Sequence, residues 1–335
     1  MWLRQLGAEV HGYALKPPTV PSLFDVAGLE RCLATDTRAD VTDLAAIRSA
    51  FQDIRPEVVF HLAAQPLVRE SYKHPLDTLT TNIMGTAHVL EAARSFTPAC
   101  AMVLITTDKV YQMRKTGAPF REDDLLGGED PYSASKAAAE IVVASYRSSF
   151  FRADTGAAIG HVATARSGNV IGGGDWADDR LIPDCLRAFE QGKSVWLRYP
   201  KAIRPWQHVL EPLSGYLVLA ERLSNHEAEQ YATAWNFGPE VSDAATVENV
   251  ARITARLWGG DARVDVDLEA RHPHEAELLR LDISRARERL GWRPRWPLAL
   301  ALKHTVEWYK AWAEGREMLE YSIAQIDNYQ RDDSR

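Results

Sequence analysis

Two short apolar segments, residues 57–64 and 101–107, place the strongest limit on how this chain can fold. Both have the length and the β-branched content of strands that are buried on both faces. Residues 82–94, between them, have a helical pattern, and residues 161–166 form a third strand-like segment after a further helix. Strands that alternate with helices at such intervals predict an α/β fold built on a doubly wound, parallel, Rossmann-like sheet.

The sequence predicts that the chain folds into two parts. Residues 1–171 are expected to form the Rossmann-like domain, and from residue 172 the strict alternation of strands and helices is lost. Residues 172–330 are therefore predicted to form mainly a smaller α+β substrate-binding lobe, with some segments returning to the first domain. The loops of this second part are rich in arginine, tryptophan and histidine, as expected around a polar ligand.

Composition argues against several classes of function. The formal net charge of −7 over 335 residues does not favour general affinity for nucleic acid. No apolar run approaches the roughly 20 residues that span a bilayer, and the first residues do not resemble a signal peptide. The three cysteines are far apart and lack the spacing of metal ligands. We therefore expect a cytoplasmic protein with no metal site and no membrane or nucleic-acid partner.

Tyr132 and Lys136 form the first candidate catalytic pair. The alanine-rich sequence around them predicts a helix, and residues four apart lie on one face of a helix. A phenol that acts as a base at neutral pH needs its pKa lowered by about three units, which corresponds to ~4 kcal/mol. A nearby cation lowers the pKa in this way. The alternative is that Tyr132 only packs and Lys136 is solvated, and the spacing alone does not decide.

Three further segments are expected at the same edge of the sheet. Residues 61–64, 106–109 and 166–169 follow predicted strands, and ligands of doubly wound sheets bind beyond the carboxyl ends of the strands. Each segment taken alone is better explained by ordinary packing at a strand end. Together with Tyr132 and Lys136 they predict a ligand site.

The motifs His61-Leu62-Ala63-Ala64, Thr107-Asp108-Lys109, Tyr132-x-x-x-Lys136 and Arg166-x-Gly168-Asn169 resemble those of the extended short-chain dehydrogenase/reductase enzymes that modify nucleotide sugars. Residues 172–176, 204–212 and 235–239 are similar to the 4,6-dehydratases of this group that act on CDP-glucose. The resemblance covers essentially the whole chain, and residues 204–212 are its most specific part.

The resemblance implies a catalytic NAD, oxidation of the sugar at carbon 4, loss of water across carbons 5 and 6, and return of the hydride to carbon 6. Tyr132 would take the proton of the 4-hydroxyl, while Lys136 would hold the cofactor ribose and lower the pKa of the phenol. Thr107 would bind the oxygen on carbon 4. Asp108 would donate a proton to the departing hydroxyl, and Lys109 would accept the proton from carbon 5.

The roles of Asp108 and Lys109 raise an electrostatic difficulty. The acid must be protonated and the base neutral, whereas adjacent opposite charges favour the ionised form of both. Desolvation could reverse this, and the strand must end near Thr107 for neighbouring side chains to reach one site. The alternative is a surface ion pair at a strand end.

The resemblance also assigns binding residues. Cofactor-lining positions are Asp40, Val41, Ala63, Ala64, Asn82, Thr107, Tyr132 and Lys136. Positions expected to hold the nucleotide diphosphate and the sugar are Asn169, Arg180, Arg198, Arg204 and His208. Arginine suits this task because its planar fork binds phosphate oxygens in pairs. The resemblance further implies a homodimer or higher oligomer that uses the Tyr132 helix and the helix from Asn82.

The family pattern begins with a strand and a Gly-x-x-Gly-x-x-Gly turn ahead of the helix that ends here at Leu6, and the sequence as given does not contain them. Because this strand is central, we expect two unpaired strand edges, weak or no binding of NAD, and poor solubility. Either the natural protein is longer or the chain is a decayed or repurposed fragment, and the intact motifs favour a longer protein.

Two rival functions share parts of the pattern. A nucleotide-sugar 4-epimerase would use Tyr132 and Lys136 but needs no acid and base for elimination, so Asp108 and Lys109 favour the dehydratase. A catalytically inactive homologue is the rival from a different class.

Overall fold

The structure, a computed structural model, describes residues 1–96, 99–114, 117–151, 160–266 and 279–332. The strands are β1 His11–Ala14, β2 Thr35–Arg38, β3 Val58–His61, β4 Ala101–Ile105, β5 Val162–Ser167, β6 Val170–Ile171, β7 Ser194–Leu197, β8 Ile203–Arg204, β9 Gln207–His208, β10 Ala234–Phe237, β11 Ala245–Thr246 and β12 Arg263–Val266. The α-helices are α1 Trp2–Gln5, α2 Leu23–Val26, α3 Leu44–Ile54, α4 Val68–Lys73, α5 Pro75–Leu79, α6 Gly85–Arg94, α7 Pro131–Phe150, α8 Leu181–Glu190, α9 Leu210–Leu223, α10 Val247–Trp258, α11 Leu298–Ala313 and α12 Met318–Arg331.

A four-stranded parallel sheet in the order β10-β5-β4-β3 forms the centre of the first part. The side chains of β4 alternate between its two faces. Met102 and Leu104 belong to one apolar core with Leu90 of α6 and Val143 of α7, and Val103 belongs to another with Leu219 of α9. Helices therefore cover both faces, and the predicted doubly wound α/β fold is confirmed.

A second, two-stranded parallel sheet consists of β1 and β2. Strand β3 is the last strand of the four-stranded sheet, and among the described residues no backbone pairing joins it to β1. Each of these two strands therefore has one edge without a partner in the described part of the chain.

The second part has its own apolar core, built from α8, α10, α11 and the β7–β12 pair. Ile182, Leu197, Val250 and Leu302 are buried in it. Strand β10 nevertheless joins the first sheet beside β5, and α9 packs against β4 and β5. The division near residue 171 stays a prediction, but these two elements do return to the first part of the molecule.

Local sequence signals define several element ends. Asp43 caps α3, since its carboxylate accepts a hydrogen bond from the backbone N–H of Ala46 at 3.0 Å. Gly7 follows α1 with φ 86°, a left-handed conformation that favours glycine. Strand β3 ends at His61, earlier than expected, so that residues 62–64 belong to the loop beyond the sheet.

The described helices include none with the length and apolar character that a bilayer crossing requires.

Candidate active site

A cavity of about 450 Å³ lies beyond the carboxyl ends of β4 and β5, between the two parts of the chain. From the first part it is lined by Thr107, Asp108, Lys109 and Tyr132, and from the second by Asn169, Arg180, Arg198 and Arg204. The structure thus gathers most of the residues predicted for catalysis and substrate binding around one space.

The segment after β4 presents Asp108 to the cavity. The strand ends at Ile105, and a 3₁₀ turn, Asp108–Val110, begins where Thr107 accepts a hydrogen bond from the backbone N–H of Lys109 at 3.4 Å. This early strand end is what the sequence required for neighbouring side chains to share one site. Gly168 is needed opposite, because a Cβ there would lie 2.9 Å from Asp108 Oδ2 and 2.3 Å from Pro205.

Asp108 has the environment of a proton donor. The residue is 2% exposed, Oδ1 accepts from the Thr107 hydroxyl at 3.1 Å, and Oδ2 has no hydrogen-bond partner among the described residues. Burial raises the pKa of the Asp108 carboxyl, although Lys109, Thr107 and Arg204 oppose that shift. Desolvation therefore outweighs the adjacent charge and favours the protonated acid that elimination requires.

Tyr132 and Lys136 are held on the first turns of α7. Asp130 caps this helix by accepting from the backbone N–H of Ser133 at 2.9 Å, and Pro131 occupies its first position. Both side chains are buried, and the Lys136 ammonium donates to the carbonyl of Ile105 at 3.1 Å. The predicted helical pair is thus confirmed as a feature of the fold.

Burial opposes the expected effect of Lys136 on the phenol. Burial raises the pKa of Tyr132 to about 12, and a hydrogen bond with Thr107 opposes the rise only in part. The Lys136 ammonium contacts the carbonyl of Ile105 at the end of β4, and its lowering of the phenol pKa stays a prediction.

Lys136 carries a desolvation cost that can be measured. Burial lowers its pKa to about 8, although Glu140 acts in the opposite direction. The charged form therefore destabilises the fold below pH 8, and this cost disappears as pH rises toward the unfolded value of about 10.4. We expect Lys136→Met to raise the free energy of unfolding at pH 7 by on the order of 2 kcal/mol, and by less at pH 10. Denaturant unfolding at both pH values checks this, with the half-exposed Lys303→Met as the control.

Among the residues predicted to bind substrate, His208 lies elsewhere. Asn169, Arg180, Arg198 and Arg204 line the cavity, whereas His208 is 1% exposed and does not reach it. Its Nδ1 accepts from the backbone N–H of Leu210 at 3.3 Å, and its ring packs on Trp296 at 4.9 Å. Gln207 is the other residue of β9 and faces the opposite way from His208. Its side chain donates a hydrogen bond to the carbonyl of Phe237.

Apart from Thr107, Tyr132 and Lys136, the predicted cofactor residues fall into two groups. Ala63 and Ala64 are half-buried in the loop after β3. Asn82 holds this loop rather than facing open space: it is 1% exposed, its Oδ1 accepts from the backbone N–H of Gln65 at 2.8 Å, and its Nδ2 donates to Ser135 at 2.8 Å. A role of Asn82 toward a cofactor would therefore be indirect.

The second group follows β2. The Asp40 carboxylate accepts from both the backbone N–H and the hydroxyl of Thr42 at 2.8 Å, and Val41 is buried beside Gly85.

Sequence reasoning missed several residues of the site. Arg69 and Asp179 line the cavity, and so does Trp196, a residue that is 65% exposed. Arg69 belongs to α4, a helix too short to give a periodic pattern. Glu140 could have been found, because it lies one turn beyond Lys136 on the same helix.

Comparisons with known proteins bear on the site. The chain matches the family described as GDP-mannose 4,6 dehydratase over residues 22–305. It is 48% identical to the CDP-glucose 4,6-dehydratase of Salmonella typhimurium over 330 residues, which covers 98% of this chain and 91% of the relative. It is 27% identical to the dTDP-glucose 4,6-dehydratase of Haemophilus influenzae over 290 residues, or 81% of each chain.

Solved structures share the fold. The UDP-glucose 4-epimerase of Thermotoga maritima, with UDP-glucose, superposes with a TM-score of 0.78 at 21% identity and covers 93% of this chain and 94% of that one. The dTDP-glucose 4,6-dehydratase of Bacillus anthracis, in complex with NAD, gives a TM-score of 0.76 at 19% identity over 95% of this chain and 94% of that one.

Proposed function

Because this chain belongs to the GDP-mannose 4,6 dehydratase family, we propose that it is an NAD-dependent nucleotide-sugar 4,6-dehydratase that converts CDP-glucose to CDP-4-keto-6-deoxyglucose. The observation that carries the proposal is the buried Asp108 carboxyl beside Tyr132 in the cavity, which has a raised pKa and one oxygen without a hydrogen-bond partner in the described part of the chain. An oxidation alone would not need such an acid.

The residues at the rim fit the nicotinamide riboside half of NAD. The buried Lys136 ammonium has three N–H donors, and among the described residues the structure gives it Ile105 as acceptor. The alanines at 63 and 64 leave room for a flat ring, and Leu62 beside them is 54% exposed. Lys136 and Tyr132 would hold the ribose, with Asp40 and Val41 as further proposed contacts. When bound, NAD would accept the hydride from carbon 4 and return it to carbon 6.

The protein residues move the protons. Tyr132 accepts the proton of the 4-hydroxyl during oxidation. The Thr107 hydroxyl, which donates to Asp108 in the structure, turns to donate a hydrogen bond to the oxygen on carbon 4. The resulting ketone acidifies the proton on carbon 5, which Lys109 removes. Asp108 protonates the 6-hydroxyl as it leaves, so that one water is released and a 5,6-double bond forms. After hydride return to carbon 6, carbon 5 is protonated again.

Isotope incorporation tests the proposal. The chain with NAD and CDP-glucose in D₂O should give a product without the 6-hydroxyl and with one solvent deuterium on carbon 5, as read by NMR. A 4-epimerase would keep all the hydroxyl groups and incorporate no solvent deuterium at carbon 5. That second pattern would refute the dehydratase assignment, and no product from the chain supplied with NAD would support the inactive homologue.

A homodimer formed through α6 and α7 is part of the proposal. Ile141 of α7 is 60% exposed, and Met84, just before α6, is 47% exposed. The helix α7 packs against α6 and against residues 80–84, and large exposed apolar side chains on neighbouring elements favour a protein interface. We expect Ile141→Glu to convert the dimer to monomer in sedimentation velocity, because a charge would be buried without a partner. Leu125→Glu, at a residue 75% exposed outside these helices, should remain dimeric. A dimeric Ile141→Glu variant would contradict this interface.

A further inference from the structure

Asp179 joins the two parts of the chain across the cavity. Its Oδ1 accepts hydrogen bonds of 2.6 Å from Arg69 of α4 and from Arg198, which follows β7. All three residues line the cavity, and their side chains are 43%, 33% and 30% exposed for Arg69, Asp179 and Arg198 respectively. One carboxylate oxygen thus accepts hydrogen bonds from two guanidinium groups that belong to distant segments of the chain.

This arrangement resembles an anion-binding site in which the Asp179 carboxylate takes the place of a bound anion. Two guanidinium groups repel each other unless a negative charge lies between them. Burial raises the pKa of Asp179, but hydrogen bonds from Arg198 and Arg69 outweigh it, so the pKa lies below its ordinary range and the carboxylate is charged at neutral pH. Asp175 is similarly placed, with Oδ2 at 3.5 Å from Arg180. An entering diphosphate would meet arginines that already have carboxylate partners.

A diphosphate offers these arginines more than a carboxylate does. It carries several oxygens and more negative charge, and each arginine fork can bind two oxygens at once. Arg69 and Arg198 can therefore pass from one Asp179 oxygen to separate phosphate oxygens. Replacement of Asp179 by the ligand is therefore more favourable in free energy for a diphosphate than for a ligand with a single phosphate.

We infer that Arg69 is a further binding residue for the diphosphate of the substrate, acting with Arg198, and that Asp179 is an internal counter-ion which the diphosphate displaces. This inference rests on the proposed function and identifies two residues of the same site. The Asp179 carboxylate links Arg69 to Arg198 and lowers the affinity of the site for phosphate ligands.

Calorimetric titration with CDP tests the inference without turnover. Asp179→Asn removes the competing charge and keeps the backbone, since asparagine tolerates the observed φ of 62°. We expect this variant to bind CDP about 3- to 10-fold more tightly, and to gain at least as much for CMP. Arg69→Gln should bind CDP about 10-fold more weakly. These estimates follow from gaining or losing one charged contact.

Matched variants separate the inference from a general charge effect. Asp178→Asn changes a neighbouring side chain that is 91% exposed and pairs with Arg187, and Lys73→Gln removes a cation that is 66% exposed on the helix of Arg69. Both should bind CDP like the wild type. Unchanged or weaker binding by Asp179→Asn, or unchanged binding by Arg69→Gln, would overturn the inference while CDP-glucose turnover still stood. A wild-type protein that binds no CDP would overturn both the inference and the proposed substrate.

Discussion

Asp108→Asn is expected to lower the rate of product formation from CDP-glucose by a factor on the order of 10²–10⁴, the usual contribution of a general acid. The variant keeps the size of a side chain that is 2% exposed but has no acidic proton to give to the leaving 6-hydroxyl. Oxidation at carbon 4 relies on Tyr132 and should continue. A 4-keto sugar that retains its 6-hydroxyl should therefore accumulate up to the amount of enzyme, which NMR of the quenched reaction would detect.

Controls make this result specific. Asp123→Asn alters a carboxylate that is 70% exposed and paired with Arg121 at 3.8 Å, and it should leave the rate unchanged. Replacing Lys109 together with Asp108 should abolish water loss while partial oxidation remains. If Asp108→Asn or the double replacement formed the deoxy product at the wild-type rate, the assignment of Asp108 and Lys109 to elimination would be wrong.

The protonation of Asp108 also gives a pH dependence. Only the protonated carboxyl can act as the acid, so activity that depends on it is present below its pKa and is lost as pH rises through it. Burial raises this pKa, so the alkaline loss should begin above the range of an ordinary aspartate. A profile of kcat against pH checks this sign, and a rate that increases as the carboxyl ionises would contradict it.

Glu140→Gln is expected to lower the free energy of unfolding by about 3 kcal/mol, because it leaves a buried arginine without its counter-charge. The Glu140 carboxylate accepts two hydrogen bonds from Arg166, at 2.9 and 2.8 Å, and further ones from Thr106 at 2.6 Å and Thr164 at 2.8 Å. The Glu140 and Arg166 side chains are each 4% exposed. The pair fixes α7 to the ends of β4 and β5, and α7 carries Tyr132, the proposed base.

Denaturant unfolding of a double-mutant cycle measures the effect. The variant Glu140→Gln/Arg166→Met should be less destabilised than the sum of the two single changes, because neither charge is left buried alone. Glu248→Gln, which breaks a partly exposed pair with Arg252, should change stability by less than about 0.5 kcal/mol. Additive single changes would show that the two charges do not depend on each other.

The contribution of the Glu140–Arg166 pair to stability is expected to depend on pH in the acidic range. Burial by itself would raise the pKa of Glu140, but Arg166 and the threonine hydroxyls more than offset this and lower it. Its contribution to stability is therefore present above the unfolded value of about 4.3 and is lost as pH falls through the lower folded pKa. The difference between wild type and Glu140→Gln should shrink over that acidic range.

Much of the fold could be predicted from local pattern. The apolar runs that became β3, β4 and β5 have few alternatives to a buried parallel sheet, and caps such as Asp43 and Asp130 act within one helical turn. The order of the sheet also brought Asp108 and Tyr132 to one rim, as expected from the strand ends. These predictions succeeded because they depend on residues close in the sequence or on the regular geometry of βα units.

Other features of the site could not be derived in this way. The return of β10 to the first sheet, the turning of His208 onto Trp296, and the contact of Arg69 with Asp179 join segments that are far apart in the chain. Short helices such as α4 give too few turns for a periodic pattern, so Arg69 had no sequence signal.

The sequence by itself determined the βα order, the helical spacing of Tyr132 and Lys136 and the resemblance to nucleotide-sugar enzymes. The tertiary structure alone decided the direction in which the pKa values of the candidate catalytic groups are shifted. Adjacent charges in the sequence favour an ionised Asp108, and a nearby lysine favours an acidic phenol, yet burial raises the pKa of both groups. The reason is that desolvation depends on everything packed around a side chain, and most of those neighbours lie far away in the sequence.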